Sequence, residues 1–445
     1  MSTASAPLSA ELADFALGLR WDDIPVDVRR RLAWLMLDHA AVVVAGRPAP
    51  ASLIAADYAS AASGGDVATA LLDGRRLSAA GAAWANGVLA NVLDYDDGHR
   101  LTKGHPGAMV IPAALAAAEA TGADLRTMME AIAVGYEIAI RAGVRQHDRA
   151  PQYHASGSWG SLGAAAASGR LFGLDAEQLG HALGLAEYHA PIALIMRSVA
   201  DPAMTKDACG YGSQLGITSA MLAERGYTAL APSFLSEGPP LRFGDRWRLT
   251  EAYVKPYPCC RWTQPGITAA IAVQDGAAIP AGQVESVVIH TFAAAEPLSR
   301  RRPRTSEQMQ YSLIWPVAVA LVDGDFGVDG VLSEFNNEQV AEVAARTDVV
   351  VNDQMTTAFP ARRMTRVVVK LRSGEQLDSG VVEAPGEPDD PGWEAVVQHK
   401  ARRYLAPADE VLAVAADPPA SALASGDAER LVGQLAYGIH RDGGA

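Results

Sequence analysis

The chain has 445 residues, 49% of them apolar, with 37 basic side chains against 51 acidic ones and a formal charge of -14 at pH 7. A single hydrophobic core stops growing well below that length, so two domains are expected. The negative balance excludes the electrostatic footprint of a nucleic-acid binder, and any anionic ligand must be met by a local cluster of cations.

Three cysteines, Cys209, Cys259 and Cys260, show no CxxC spacing, and the vicinal pair is too tight for an ordinary structural disulfide. A reducing, cytoplasmic setting is expected. The N-terminal MSTASAPLSAELADFALGL lacks a basic segment followed by a long apolar one, and no apolar run approaches the roughly 18 residues needed to span a bilayer. Neither secretion nor membrane insertion is expected.

Taken in chain order, the first half carries apolar residues at three-to-four-residue spacing, rich in Ala and Leu. Helices are predicted over Ile111–Ala120, Leu125–Ala142, Gly163–Leu174 and Gly212–Arg225, with start signals at Ser9 and Asp175. From about Tyr253 the texture changes to prolines at 256, 258 and 265, followed by the β-branched run Val284–Phe292. Arg366–Arg372, the Ser373-Gly374 turn and Leu377–Glu383 read as a β-hairpin. Helical pieces are predicted at Tyr311–Val322 and Glu338–Ala345, and again after Pro391 in GWEAVVQHKARRYL and AERLVGQLAYGIH. The expected architecture is mainly α: a large all-helical domain from residues 1–252 and 392–445, with a smaller α+β lid domain inserted over 253–391.

Four segments could carry chemistry. LDYDDGHRLTKGHPG (93–107) places Asp94, Asp96 and Asp97 near His99 and His105, and His beside Asp is the usual source of a group that both gives and takes a proton near neutrality. The same run also reads as a polar loop with capping aspartates. A metal reading is set aside because no spaced partner such as HxxxH accompanies it. His99, between Gly98 and Arg100, is expected to be exposed.

His154 precedes glycines 157, 160 and 163, either as a catalytic imidazole at a helix start or as an incidental neighbour of a small-residue helix contact. Lys206 stands alone in MTKDACGYGSQLG, able to anchor a carboxylate or act as a base. The glycines after it, 210, 212 and 216, miss the dinucleotide spacing and read as helix packing. In KPYPCCRWTQPG the prolines fix the backbone that carries Lys255 and Arg261, at the junction of the expected domains where clefts form. Arg197, after PIALIM, is a further cation in an apolar setting.

In this order, LDYDD with HPGAMVIPAALAAAEA, YHASGSWGSLGAAAASGRLFGL, TKDACGYGSQLGITSAMLAERGYTA, VKPYPCCRWTQPGITAA and QYSLIWPVAVALVDG resemble the MmgE/PrpD family. The resemblance covers nearly the whole chain. It implies a helical domain with a smaller α+β lid, usually a homodimer, and an active site between them that uses no metal or organic cofactor. It also implies a small carboxylate substrate. By resemblance the catalytic or binding set falls on Asp94, His105, His154, Lys206 and Lys255. Four positions depart from the family pattern: Gly98 where many members have Thr, Cys209 where many have His, Gln264 where Thr-His often follows KPYPCCR, and Trp315 in place of a Tyr. Each change removes a hydrogen-bonding or titrating group.

The expected function is therefore a cofactor-free lyase of the dehydratase or decarboxylase type. It would take a proton beside a substrate carboxylate, with Lys206, Lys255, Arg261 and Arg197 near the anionic groups and Asp94 orienting an imidazole. An isomerase working by deprotonation and reprotonation is the alternative, and a non-catalytic binding protein on the same fold is the second.

Overall fold

A computed structural model describes residues 8–274 and 279–405. The predicted segment AERLVGQLAYGIH lies outside the described residues. Amphipathic and Ala-rich sequence becomes a layer of helices, chiefly Val26–Gly46, Ala79–Asn91, Gly107–Thr121, Leu125–Arg149, Gly157–Leu171 and Cys209–Glu224. Ser9 and Asp175 cap their helices as the sequence suggests: Ser9 accepts from the Leu12 N–H, and Asp175 from the Gln178 N–H in a reciprocal capping box.

Gly157–Leu171 lies at the centre of this layer, packed between Leu125–Arg149 and Cys209–Glu224, and the latter leans in turn on Ala79–Asn91. Small residues permit that closeness. A Cβ built at Gly216 would stand 2.3 Å from the Ala164 Cβ and 2.7 Å from the Ala165 backbone nitrogen. The glycines after Lys206 are thus helix-packing residues, as their spacing suggests.

The smaller part holds a five-stranded sheet. Val284–Thr291 pairs parallel with Thr347–Val351 on one side and antiparallel with Met364–Leu371 on the other. Gln376–Asp378 and Val382–Glu383 both pair with Met364–Leu371. Alternate residues Val287, Ile289, Val367 and Val369 point into a second core with helices Gln264–Ala272, Ile314–Asp323 and Glu338–Ala345.

The predicted hairpin is present, but its second arm breaks at Ser379-Gly380, where glycine takes φ +64°. The edge strand Thr347–Val351 was not expected, because TDVVV is too short to be distinguished from the end of the preceding helix by period alone. Two short ribbons also interrupt the helical half. One, Gly64–Thr69 with Arg76–Leu77, turns at Asp73-Gly74, and the other pairs Gly98–His99 with Ala252–Tyr253.

The second ribbon matters for the site. It stitches the acidic loop after Ala79–Asn91 to the segment leading into KPYPCC. The final described helix, Trp393–Tyr404, returns to Val26–Gly46 through an Arg30–Glu394 pair (2.8 Å) and a wholly buried Lys400–Asp38 pair. Lys400 also donates to the carbonyl of Tyr95 at 3.1 Å and stands 4.4 Å over that ring, while the Tyr95 hydroxyl donates to the Pro256 carbonyl at 3.1 Å. Tyr95 therefore pins the loop carrying Asp94 and Asp96 against the segment carrying Lys255.

The fit at Gly216 generates a prediction. Gly216→Val drives side-chain atoms into backbone that cannot yield and should cost about 2–3 kcal/mol in chemical denaturation, in the upper range for overpacking. A loss under about 0.5 kcal/mol would mean that the two helices have slack there.

Candidate active site

Five separate segments meet at one buried cluster: the acidic loop, Ser156, Lys206-Asp207, Lys255 and Gln310-Tyr311. The first is the acidic loop. Asp94 takes a left-handed conformation (φ 51°), uncommon for a residue other than glycine, which turns its carbonyl and its carboxylate toward the same cation. That cation is Lys255, which donates to the Asp94 carbonyl at 2.8 Å and pairs closely with its Oδ1, both side chains being almost fully buried. Each charge sustains the other: although burial opposes ionisation, Lys255 with Lys206 and His105 holds the Asp94 carboxyl below its ordinary value, and Asp94 with Asp96 raises the Lys255 ammonium.

His105 sits among three carboxylates. Its Nδ1 lies 3.0 Å from Asp96 Oδ2, and its Nε2 lies 3.5 Å from Asp94 Oδ1 and 3.8 Å from Asp207 Oδ2. Burial alone would discharge the imidazole, but Asp96 and Asp207 outweigh burial and the repulsion of Lys255, pushing its pKa up to about 9. The ring is therefore an imidazolium at neutral pH. Asp96 faces the inner nitrogen and Asp94 the outer one, and Asp96 is itself held by Asn91 Nδ2 at 3.0 Å. The third carboxyl of the run, Asp97, is pushed up to about 8 by burial and by Asp96 and Asp38, and so remains protonated beneath Gly107.

The TKDAC segment supplies the third piece. Lys206 (φ 41°) and Ala208 (φ 55°) are both left-handed, and this tight winding sends Lys206 and Asp207 in different directions. Asp207 accepts from Ser156 Oγ at 2.8 Å and from the Tyr311 hydroxyl at 3.4 Å, and Ser156 Oγ accepts from the His105 backbone N–H at 3.1 Å. Lys206 points to the end of helix Ala79–Asn91, donating to the carbonyls of Asn91 (2.6 Å) and Val92 (3.2 Å) and to Gln310 Oε1 (2.5 Å). All three of its N–H bonds are committed at a helix C-terminus, where a cation is favoured. Burial lowers its pKa, against the pull of Asp94 and Asp96.

The cluster opens into a cleft. Asp94, His105, Lys255, Arg261 and Arg363 line it together with Asp207, Tyr253, Cys260 and Tyr311, and Arg100, Lys103, Tyr153, Trp262 and Phe359, all half-buried, line it with residues of helix Ile195–Ala200. Five cationic residues besides His105 (Arg100, Lys103, Lys255, Arg261, Arg363) thus face two carboxylates, Asp94 and Asp207. Arg261 is held rigid by Glu387 (3.0 Å), Gln264 Oε1 (2.9 Å) and the carbonyls of Ala384 and Pro385.

The remaining expected residues lie elsewhere. His154 is buried beside His147, ring centroids 5.8 Å apart, and is not among the cleft-lining residues; both its ring nitrogens lack a hydrogen-bond partner among the described residues. Arg197 is exposed, although Ile195, Met196 and Val199 of its helix face the cleft. His99 is buried rather than exposed: strand pairing with Ala252 draws it inward, and its Nε2 lies 3.4 Å from Glu251. Sequence reasoning missed Asp207, Ser156 and Tyr311. Asp207 was signalled by its place beside Lys206, and Tyr311 by the QYS segment.

The metal reading set aside on linear spacing has a counterpart in space. Asp94, Asp96 and His105 each offer a donor atom, all within 4.8 Å of one another, so a candidate ligand set exists in space that linear spacing did not reveal. The same atoms already face Lys255, and a cation entering there would have to displace that ammonium from Asp94.

A buried histidine ion-paired at its inner nitrogen, a rigid lysine-carboxylate pair and a cation-lined cleft define an acid–base site suited to an anionic ligand. The chain belongs to the MmgE/PrpD family: its N-terminal domain model matches residues 10–243 and its C-terminal domain model residues 257–414. It is similar to the cis-aconitate decarboxylase-like protein oryM of Aspergillus oryzae, with 24% identity over 446 residues covering 90% of this chain and 91% of that protein. It is also similar to the cis-aconitate decarboxylase of Aspergillus terreus, with 25% identity over 288 residues, 58% of each chain. No helix among the described residues is long and apolar enough to cross a membrane.

The elevated pKa of His105 sets a pH dependence. Its folded value of about 9 exceeds the ordinary 6.5, so its contribution to stability is complete below about pH 6.5 and is lost as pH rises through about 9. An NMR titration of the His105 ring should show a midpoint near 9 that moves down in Asp96→Asn. A wild-type midpoint near 6.5 would contradict the described geometry.

Proposed function

We propose that this protein is a lyase acting on a small polycarboxylate, with His105 as the proton donor. Family membership supports an enzyme acting on a carboxylate, and the named relatives are a cis-aconitate decarboxylase and a protein like it. The observation that carries the reading is the resting imidazolium of His105, raised to about 9 by Asp96 and Asp207 against burial, on a cleft where cations outnumber carboxylates in a protein of charge -14.

An imidazolium is an acid before the reaction begins. In decarboxylation, the carbon–carbon bond to the departing carboxylate breaks, its electron pair is delocalised into the neighbouring carboxylate, and His105 returns a proton to carbon. In elimination of water, His105 gives its proton to the leaving hydroxyl while Asp207 receives the proton from the carbon beside the carboxylate. Lys255 adjoins the imidazole in both cases and offsets the enolate-like charge. Arg261, braced by Glu387 and Gln264, contributes fixed positive potential. Lys206 acts by holding the end of helix Ala79–Asn91, and thereby the start of the acidic loop.

Decarboxylation needs a single proton donor on the cleft, which His105 supplies, whereas elimination and isomerisation each need a second proton-transfer group, for which Asp207 is the cleft-lining candidate. His154, the other imidazole considered, lies outside the lining. Assembly as a homodimer through the helical layer is supported by exposed Tyr58 and Tyr211, which stand edge to face on the half-buried Trp84 between them at 5.3 and 5.9 Å.

Citrate-type and aspartate-type acids incubated with the enzyme in deuterium oxide and followed by NMR should give net loss of carbon dioxide or water. His105→Gln should lower kcat at least about 10²-fold, the usual contribution of a positioned acid. Solvent exchange into the substrate without net elimination would move the reading to an isomerase, and more than a tenth of wild-type kcat in His105→Gln would remove His105 from the chemistry.

A further inference from the structure

The cations on the cleft differ in what already holds them. Lys255 is paired with Asp94, Arg261 and Arg363 share Glu387 at 3.0 and 2.9 Å, and Arg100 donates to the Ala361 carbonyl. Lys103 is the exception: among the described residues its ammonium has no hydrogen-bond acceptor. It stands 4.1 Å over the centroid of the Tyr153 ring, half-buried, on the cleft wall.

Three features make Lys103 more than a solvated side chain. An ammonium over an aromatic face is held in place without being neutralised, so its N–H bonds stay available. Its backbone is left-handed (φ 56°), a conformation that costs free energy for a residue other than glycine and is found where the surroundings dictate position. It also lies two residues before His105, so the loop that fixes the acid fixes Lys103.

We infer that Lys103 is a specificity-determining residue that receives a second carboxylate of the substrate, on the more exposed side of the reacting carbon from Lys255. The substrate then carries carboxylates on both sides of the carbon that His105 serves. This rests on the carboxylate reading of the cleft.

Binding without turnover separates the two ideas. Calorimetric titration with glutarate, which has two carboxylates, and butyrate, which has one, should give wild-type affinity roughly tenfold or more in favour of glutarate. Lys103→Met should lose roughly tenfold in glutarate affinity and less than twofold in butyrate affinity, Lys103→Gln should behave alike, and Lys103→Arg should keep most of the preference. Glutarate binding unchanged in both Lys103→Met and Lys103→Gln would overturn the assignment of Lys103 alone. Failure of wild-type protein to bind either acid would overturn the carboxylate reading and this inference with it.

Discussion

The buried ion pair between Asp94 and Lys255 is the constraint on which the site depends. Removing two charges from water is expensive, and their attraction offsets that only when the geometry is close and the remaining donors are satisfied. Here the ammonium is shared between the side chain and the carbonyl of one residue, which requires Asp94 to adopt φ 51°. The pair joins the helical part to the segment that opens the sheet-bearing part, and Tyr95 reinforces it from the other side. Apolar replacements of such pairs are often neutral for stability, so a pair kept at the base of a cleft is read most simply through the charge it supplies.

From this pair the rest follows in order. Lys255 lowers Asp94 and disfavours charge on His105, while Asp96 and Asp207 restore that charge. Ser156 and Tyr311 then hold Asp207, and Arg261 is fixed by a different carboxylate, Glu387, so it does not collapse onto Asp94. The result is a site with its imidazole charged and its cations spaced.

How much of this the sequence revealed depended on whether the information was local. The helices were legible because the apolar period and caps such as Ser9 and Asp175 are local signals, and the sheet was legible through Val284–Thr291 and Met364–Leu371. Strands of two residues, as at Gly98–His99, carry no period, which is why His99 was expected at the surface and lies buried in a ribbon. In the site, Asp94, His105, Lys255 and Arg261 stand on one cleft because dense polar residues among glycines and prolines mark its loops. Composition could not distinguish a lysine that caps a helix, Lys206, from one free to meet a ligand, Lys103, since the difference lies in which acceptors the fold brings within reach. Three of the four departures noted from the family pattern have structural counterparts. A Cβ at Gly98 would stand 2.4 Å from the Tyr253 ring, Gln264 braces Arg261 while donating to the Tyr257 and Cys259 carbonyls, and Trp315 is wholly buried core.

The dependence on the Asp94–Lys255 pair is tested most directly by a double-mutant cycle in chemical denaturation with Asp94→Asn, Lys255→Met and the combined variant. Breaking a buried pair from one side typically costs about 3–5 kcal/mol, because the surviving charge is left uncompensated. Each single variant should fall in that range, and the double should lose no more than the worse single, a coupling of at least about 3 kcal/mol. Losses that simply add would contradict the account.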